Sequence, residues 1–206
     1  MIGGRRFELV YHGELAEMSN TRPLFAALVK GLVSSISDAG GRDVNIVNAT
    51  LIARERGIAI DEKHVRNEVP VYASLVSLRS FDTSNGDAEQ VIEGYVSGKS
   101  IFISKLDRFS ANFHPEGSLL ILHNYDQPGK IGNVGMVLGR YGINITFMQV
   151  AGLNREAREA AEGDSNNGDA AKEALMLLGV DGEINEDVVR DLGEAEGILN
   201  VSLVKL

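Results

Sequence analysis

The chain has 206 residues, 44% apolar and 24% charged, enough for one large domain or two small ones with a filled core. A formal net charge of -9 argues against a nucleic acid partner, which needs a basic face to displace counterions. There is no cysteine, which excludes disulfides, thiolate metal sites and a cysteine nucleophile, and fits a reducing compartment. Met1 to Arg6 is polar and Gly-rich, without the apolar stretch of a signal peptide. No apolar run approaches the roughly 20 residues that span a bilayer. The expected location is the cytoplasm, with no membrane partner.

In chain order, Arg5 to His12 alternates apolar and polar residues and predicts a strand. Asn20-Thr21 offers N-cap oxygens with Pro23 just inside, and Leu24, Leu28, Leu32 and Ile36 form a helical stripe closed by Gly40-Gly41. Val44 to Val47 predicts a short strand, and Asn48 caps a helix over Ala49 to Arg56 that Gly57 stops. Ile58 to Ile60 and Val69 to Phe81 predict two more strands. Asn85-Gly86 is a hairpin signal, answered by a return strand over Val91 to Ser97. After the Gly98-Lys99 turn comes a strand from Ser100 to Phe109. The first part is thus α+β with a mostly antiparallel sheet.

Ser110 to Gly117 (SANFHPEG) breaks the periodicity with a Pro and a Gly and predicts a domain boundary. Beyond it stand a strand (Leu119 to Asn124), a helix (Gly129 to Tyr141) and two strands (Asn144 to Val150, Glu173 to Val180). A helix capped by Asn185 and a final strand (Ile198 to Val204) complete the order βαββαβ, the ferredoxin-like split unit. Asn154 to Lys172, rich in Ala, Glu, Asp, Asn and Gly, predicts a surface loop with a transient helix over Arg155 to Ala161.

Catalytic chemistry finds little support. The histidines, His12, His64, His114 and His123, include no pair at a helical spacing of three or four, so a helical zinc pair is absent. Neither a nucleophile elbow nor a P-loop occurs. The glycines at 129, 132, 135, 139 and 142 do not make Gly-x-Gly-x-x-Gly, and their spacing suits close helix packing. No metal, NAD or other cofactor is expected on this chain.

The turn Asn124-Tyr125-Asp126-Gln127-Pro128-Gly129 leaves a strand and enters a helix. Asn124 and Asp126 are two apart, so extended backbone turns both to one side and His123 to the other. At Gly129 to Gly132 the helix begins, with free N–H groups and the positive end of the dipole, where an anion can sit. A carboxylate held there, beside an ammonium held by Asp126, satisfies an amino acid zwitterion. Asn124 and Asn144 each supply a donor and an acceptor. The competing reading is that Asp126 merely caps the helix and Pro128 shapes the turn. Separately, Lys99, Lys105 and Arg108 lie in or beside one strand, with Lys105 alternating away from Ile103. They form a candidate anion site, against the plainer reading of solvated charges.

HNYDQPGKIGNVGMVLGRYGINITFMQV resembles the start of an ACT domain, and most closely that of the D-3-phosphoglycerate dehydrogenase family, where EALMLLGVD-like and GILNVSLVKL-like strands also recur. RRFELVYHGELAE, TRPLFAALVKGLV, VNIVNATLIARERGI and GYVSGKSIFISKLDRFSANFHPEG resemble the same family's intervening, allosteric substrate-binding domain. The resemblance implies an intervening domain over 1–115 and an ACT domain over 116–206. Nothing here resembles the family's catalytic domains, which bind NAD and carry the catalytic residues, so no catalytic residue is assigned. It implies allosteric binding of L-serine or a related amino acid between paired ACT domains, hence a homo-oligomer. Asn124, Asp126, Ile131 and Gly132 fall on effector positions of one copy and Asn144 on that of its partner. Gln127 replaces a frequent arginine, and Asn124 stands where relatives often carry His or Tyr. Some relatives bind a phosphate-bearing ligand on the intervening domain, the chemistry suited to Lys99, Lys105 and Arg108. The alternative is a free-standing ACT-type sensor acting on another protein.

Overall fold

The structure, a computed structural model, describes residues 6–34, 41–66, 71–81, 90–153 and 173–206. The chain forms two compact units, Ile2–Lys99 and Ser100–Leu206. The fold class is α+β.

In the first unit, β1 (Arg6–Gly13) is followed by α1 (Glu14–Glu17), α2 (Arg22–Ser34), α3 (Ala49–Glu55), β2 (Ala59–Val65), β3 (Ser74–Ser80) and β4 (Gln90–Ser97). The strands run in the order β2-β1-β3-β4. β1 is antiparallel to β3, and β3 to β4. β2 lies parallel to β1, with Arg6 opposite Ala59, because α2 and α3 carry the chain back before it pairs. Phe7, Leu9 and Tyr11 of β1 meet Ala26, Val29 and Val33 of α2 and Ala49 and Ala53 of α3 in one core. The fully buried Tyr11 hydroxyl donates to Glu62 Oε2 at 2.8 Å. Burial, then the Glu62 carboxylate, push that phenol well above its ordinary range.

Three expectations need correction here. Val44 to Val47 is a turn and no strand, because the Asn45 side chain accepts from the N–H groups of Val47 (2.9 Å) and Asn48 (3.1 Å). Asn48 stands at the N-cap of α3 but does not cap it; its side chain accepts from Asn45 N–H and donates to Asp43 O, both at 2.7 Å. The short strand foreseen over Ile58 to Ile60 runs on to Val65. The Asn85-Gly86 turn, Ile36 and the 154–172 stretch with its foreseen helix lie outside the described residues.

The second unit contains β5 (Ser100–Leu106), β6 (Phe109–Phe113), β7 (Ser118–Tyr125), α4 (Lys130–Arg140), β8 (Asn144–Gly152), β9 (Glu173–Asp181), α5 (Glu186–Gly193) and β10 (Ile198–Lys205). Instead of one strand to Phe109, the chain turns at Asp107 (φ 51°) and returns as β6, with Leu106 opposite Phe109. β7 to β10 form an antiparallel sheet in the order β10-β7-β9-β8. Strand alternation gives this sheet two apolar faces. Leu120, Leu122, Met176, Leu178 and Val180 face Val134, Val137 and Leu138 of α4 and Val188 and Leu192 of α5. Leu119, Leu175, Leu177 and Ala151 share a second core with Phe109, Ala111 and Phe113 of the hairpin. That packing is why the compact unit begins at Ser100, ahead of the Pro- and Gly-bearing stretch 110–117. Asn185 caps α5 as foreseen, its Oδ1 accepting from Val188 N–H at 3.0 Å.

Candidate functional site

The strand-to-helix turn after β7 assembles four of the sequence-predicted residues. Asn124, on the helix-facing side of β7, is 3% exposed. Its Nδ2 donates to Tyr125 O at 2.9 Å, while its buried Oδ1 has no hydrogen-bond partner. An orphaned buried acceptor is costly, of the order of 1–3 kcal/mol, and marks a place where a donor is wanted. Asp126 follows, exposed at the strand end.

Gly129 is the N-cap residue of α4, at φ 89° and ψ -17°, a left-handed conformation that glycine adopts without strain. Because the cap residue has no side chain, and Asp126 stands three positions before it, the helix start is not closed by a side chain at its cap. The first helical bond, from a residue to the one four before it, is Asn133 N–H to Gly129 O at 3.0 Å. The N–H groups of Ile131 and Gly132 therefore precede the intrahelical ladder and point out of the helix start. Ile131 is 53% exposed, and an added Cβ at Gly132 would meet nothing within 4 Å. Free donors, a positive dipole end, an exposed carboxylate and an orphaned amide oxygen thus share one short turn.

Asn144 is elsewhere. It opens β8 opposite Asp181 of β9, whereas Asn124 lies opposite Ala174 of the same strand. The two asparagines are seven residues apart along β9, roughly 23 Å, at opposite ends of the sheet. One copy of the chain does not bring Asn144 to the turn. β8 is an edge strand, with Phe147, Met148 and Val150 between 36% and 41% exposed.

On the other face of β7 lies His123, foreseen only as pointing away. It packs against Phe109 with ring centroids 5.7 Å apart. Desolvation lowers its pKa, against the opposing pull of Asp107 and Glu173, while Arg108 adds to the lowering. Arg108 pairs with Glu173 and lies over the Phe109 ring at 5.6 Å. Of the candidate anion residues, Arg108 therefore already has a carboxylate, Lys105 is half-buried in β5, and Lys99 is exposed at the end of the first unit. Two contributors escaped sequence reasoning. Lys130, 7% exposed, is buried although lysine normally marks surface. Glu173 was read only as the start of a strand.

Comparison with known proteins places this geometry in context. Residues 4–102 match the family described as D-3-phosphoglycerate dehydrogenase intervening domain. The D-3-phosphoglycerate dehydrogenase of Methanocaldococcus jannaschii is 34% identical over 202 residues, covering 98% of this chain and 34% of that protein. The enzymes of that name from Archaeoglobus fulgidus (34% identical, 100% of this chain, 35% of the relative) and Synechocystis sp. (31%, 100% and 34%) match equally broadly. The chain carries an intervening domain of this type in its first half. Over its whole length it belongs to the D-3-phosphoglycerate dehydrogenase family, as the counterpart of the C-terminal part of its members. It spans about a third of the length of those curated relatives. Among the described residues no helix is long and apolar enough to cross a membrane.

Proposed function

We propose that this chain is the amino-acid-sensing and assembly region of an NAD-dependent D-3-phosphoglycerate dehydrogenase of L-serine biosynthesis, working in the cytoplasm. In this reading residues 116–206 are a ferredoxin-like ACT domain that binds L-serine or a close relative, and NAD belongs to catalytic domains beyond this chain. The observation that carries it is the orphaned Asn124 Oδ1 beside Asp126 and the open start of α4. Together they complement a zwitterion: the N–H groups of Ile131 and Gly132 take the carboxylate, and Asp126 and Asn124 Oδ1 take the ammonium.

Asn144 enters from a second copy. Its distance from the turn within one chain and the exposed edge strand β8 both support a site shared across a seam. Ligand held by both copies favours the paired state by mass action, which joins sensing to assembly. Titration calorimetry with a panel of amino acids, paired with sedimentation, tests this. Saturable binding of L-serine that tightens the dimer supports it; no heat with any amino acid overturns it.

A further inference from the structure

α4 begins with a lysine, the unfavourable sign for the positive end of a helix dipole, and that lysine is buried. The Lys130 ammonium donates to Glu196 O at 2.7 Å. It lies so close to the next residue that a Cβ built on Gly197 would stand 2.5 Å from both Cε and Nζ of Lys130. Gly197 also sits at φ 81°, so the position suits glycine on two counts. The Gly197 carbonyl in turn accepts from Tyr125 N–H at 2.9 Å, and Ile198 pairs with Asn124 in the sheet. A continuous set of contacts therefore runs from the first residue of α4, through Glu196 and Gly197, to the end of β7.

We infer that Lys130 is a positioning residue of this site, a clamp fixing the start of α4 against the strand end that bears Asn124 and Asp126. The inference rests on the amino-acid reading above for the ligand it serves. The two halves of a zwitterion are a fixed distance apart. A site that takes the carboxylate on a helix start and the ammonium on a strand end needs those two elements held at matching separation. The turn between them, Gln127-Pro128-Gly129, is closed by Lys130 N–H to Gln127 O at a long 3.5 Å. The buried ammonium supplies a firmer tie, because a hydrogen bond from a charged donor is stronger and shorter than a neutral one.

Four variants test the clamp in the whole chain. Lys130→Met keeps the apolar stem and removes the ammonium, so the chain still folds with a modest drop in midpoint, while L-serine affinity falls about tenfold because the two halves of the site are no longer held at matching separation. Amide exchange at Tyr125, read by NMR without ligand, quickens in the same variant. Gly197→Ala places a methyl where the ammonium lies, so affinity falls and Tyr125 exchange quickens as in Lys130→Met, with a further drop in midpoint from the strained φ of 81°. Lys130→Ala alone, Gly197→Ala alone and the two together form a double-mutant cycle on Tyr125 exchange and on the midpoint. The effects are strongly non-additive if the clamp exists, since the alanine finds vacant space once the lysine is gone. Additive effects, or Tyr125 exchange unchanged in Lys130→Met, overturn the inference. A wild-type chain that binds no amino acid defeats the ligand reading instead, and Tyr125 exchange and the cycle still decide the clamp.

Discussion

His123 and Phe109 meet edge to face, 5.7 Å between ring centroids and 69° between planes, where the turn of the β5–β6 hairpin closes on the end of β7. The contact gives the fold a pH signature. Burial lowers the His123 pKa, so the unfolded chain binds its proton more readily than the folded one. The stability this neutral ring contributes is present above the unfolded value near 6.5 and is lost as pH falls through the lowered folded value. Thermal unfolding followed from about pH 7.5 down to 5 shows a falling midpoint in wild type. His123→Leu flattens that acid limb; a limb of unchanged steepness assigns it to other groups.

Phe109 itself is fully buried between hairpin and sheet. Phe109→Ala leaves a large cavity and lowers stability by about 3–5 kcal/mol in urea denaturation. A loss under about 1 kcal/mol would mean that the hairpin does not pack on the sheet in solution.

At the ligand turn, Asp126→Ala removes the acceptor for the ammonium, and L-serine affinity falls about ten- to a hundredfold. Asn144→Ala weakens binding from the other copy while each variant stays folded. Mixed dimers decide the shared site. With Asp126 missing from one copy and Asn144 from the other, one seam site loses both groups and the other stays intact. Near wild-type affinity at half stoichiometry is expected; two equally weakened sites mean that each copy builds its own pocket.

The asparagine pair in the first unit gives a stability test free of any ligand. Asn45→Ala strips the N–H groups of Val47 and Asn48 of their acceptor. About 1–2 kcal/mol is lost, comparable with a helix cap, and the far side of the sheet is unaffected. Chemical denaturation measures the loss, and NMR shifts confined to 43–49 confirm its origin.

The sequence made the second unit legible because its strands and helices carry clean periods. Leu119 to Asn124 alternates between two buried faces, and Asp126-x-Pro128-Gly129 announces the strand-to-helix turn. β2 was nearly invisible for the opposite reason: Ala59–Val65 is mostly exposed and polar, held by its parallel partner and lacking an apolar stripe of its own. Asn45 and Asn48 misled because asparagine competes for backbone N–H groups in ways that depend on tertiary geometry. The burial of Lys130 left no local trace, since what accommodates it is a glycine far along the chain. Whether Asn124 and Asn144 belong to one pocket in one copy is decided by strand register, which a linear motif does not carry.

The hairpin that covers the sheet also dictates where this polypeptide can be cut. A fragment starting at residue 116 would carry every strand of the four-stranded sheet and both of its helices, yet leave behind β5 and β6. Leu119, Leu175 and Leu177, each at most 4% exposed in the intact unit, would then face water along with the half-buried Ile121 and Val204. Such a bared apolar sheet invites self-association, so a fragment starting at Ser100 is the one to isolate when the second unit is wanted alone.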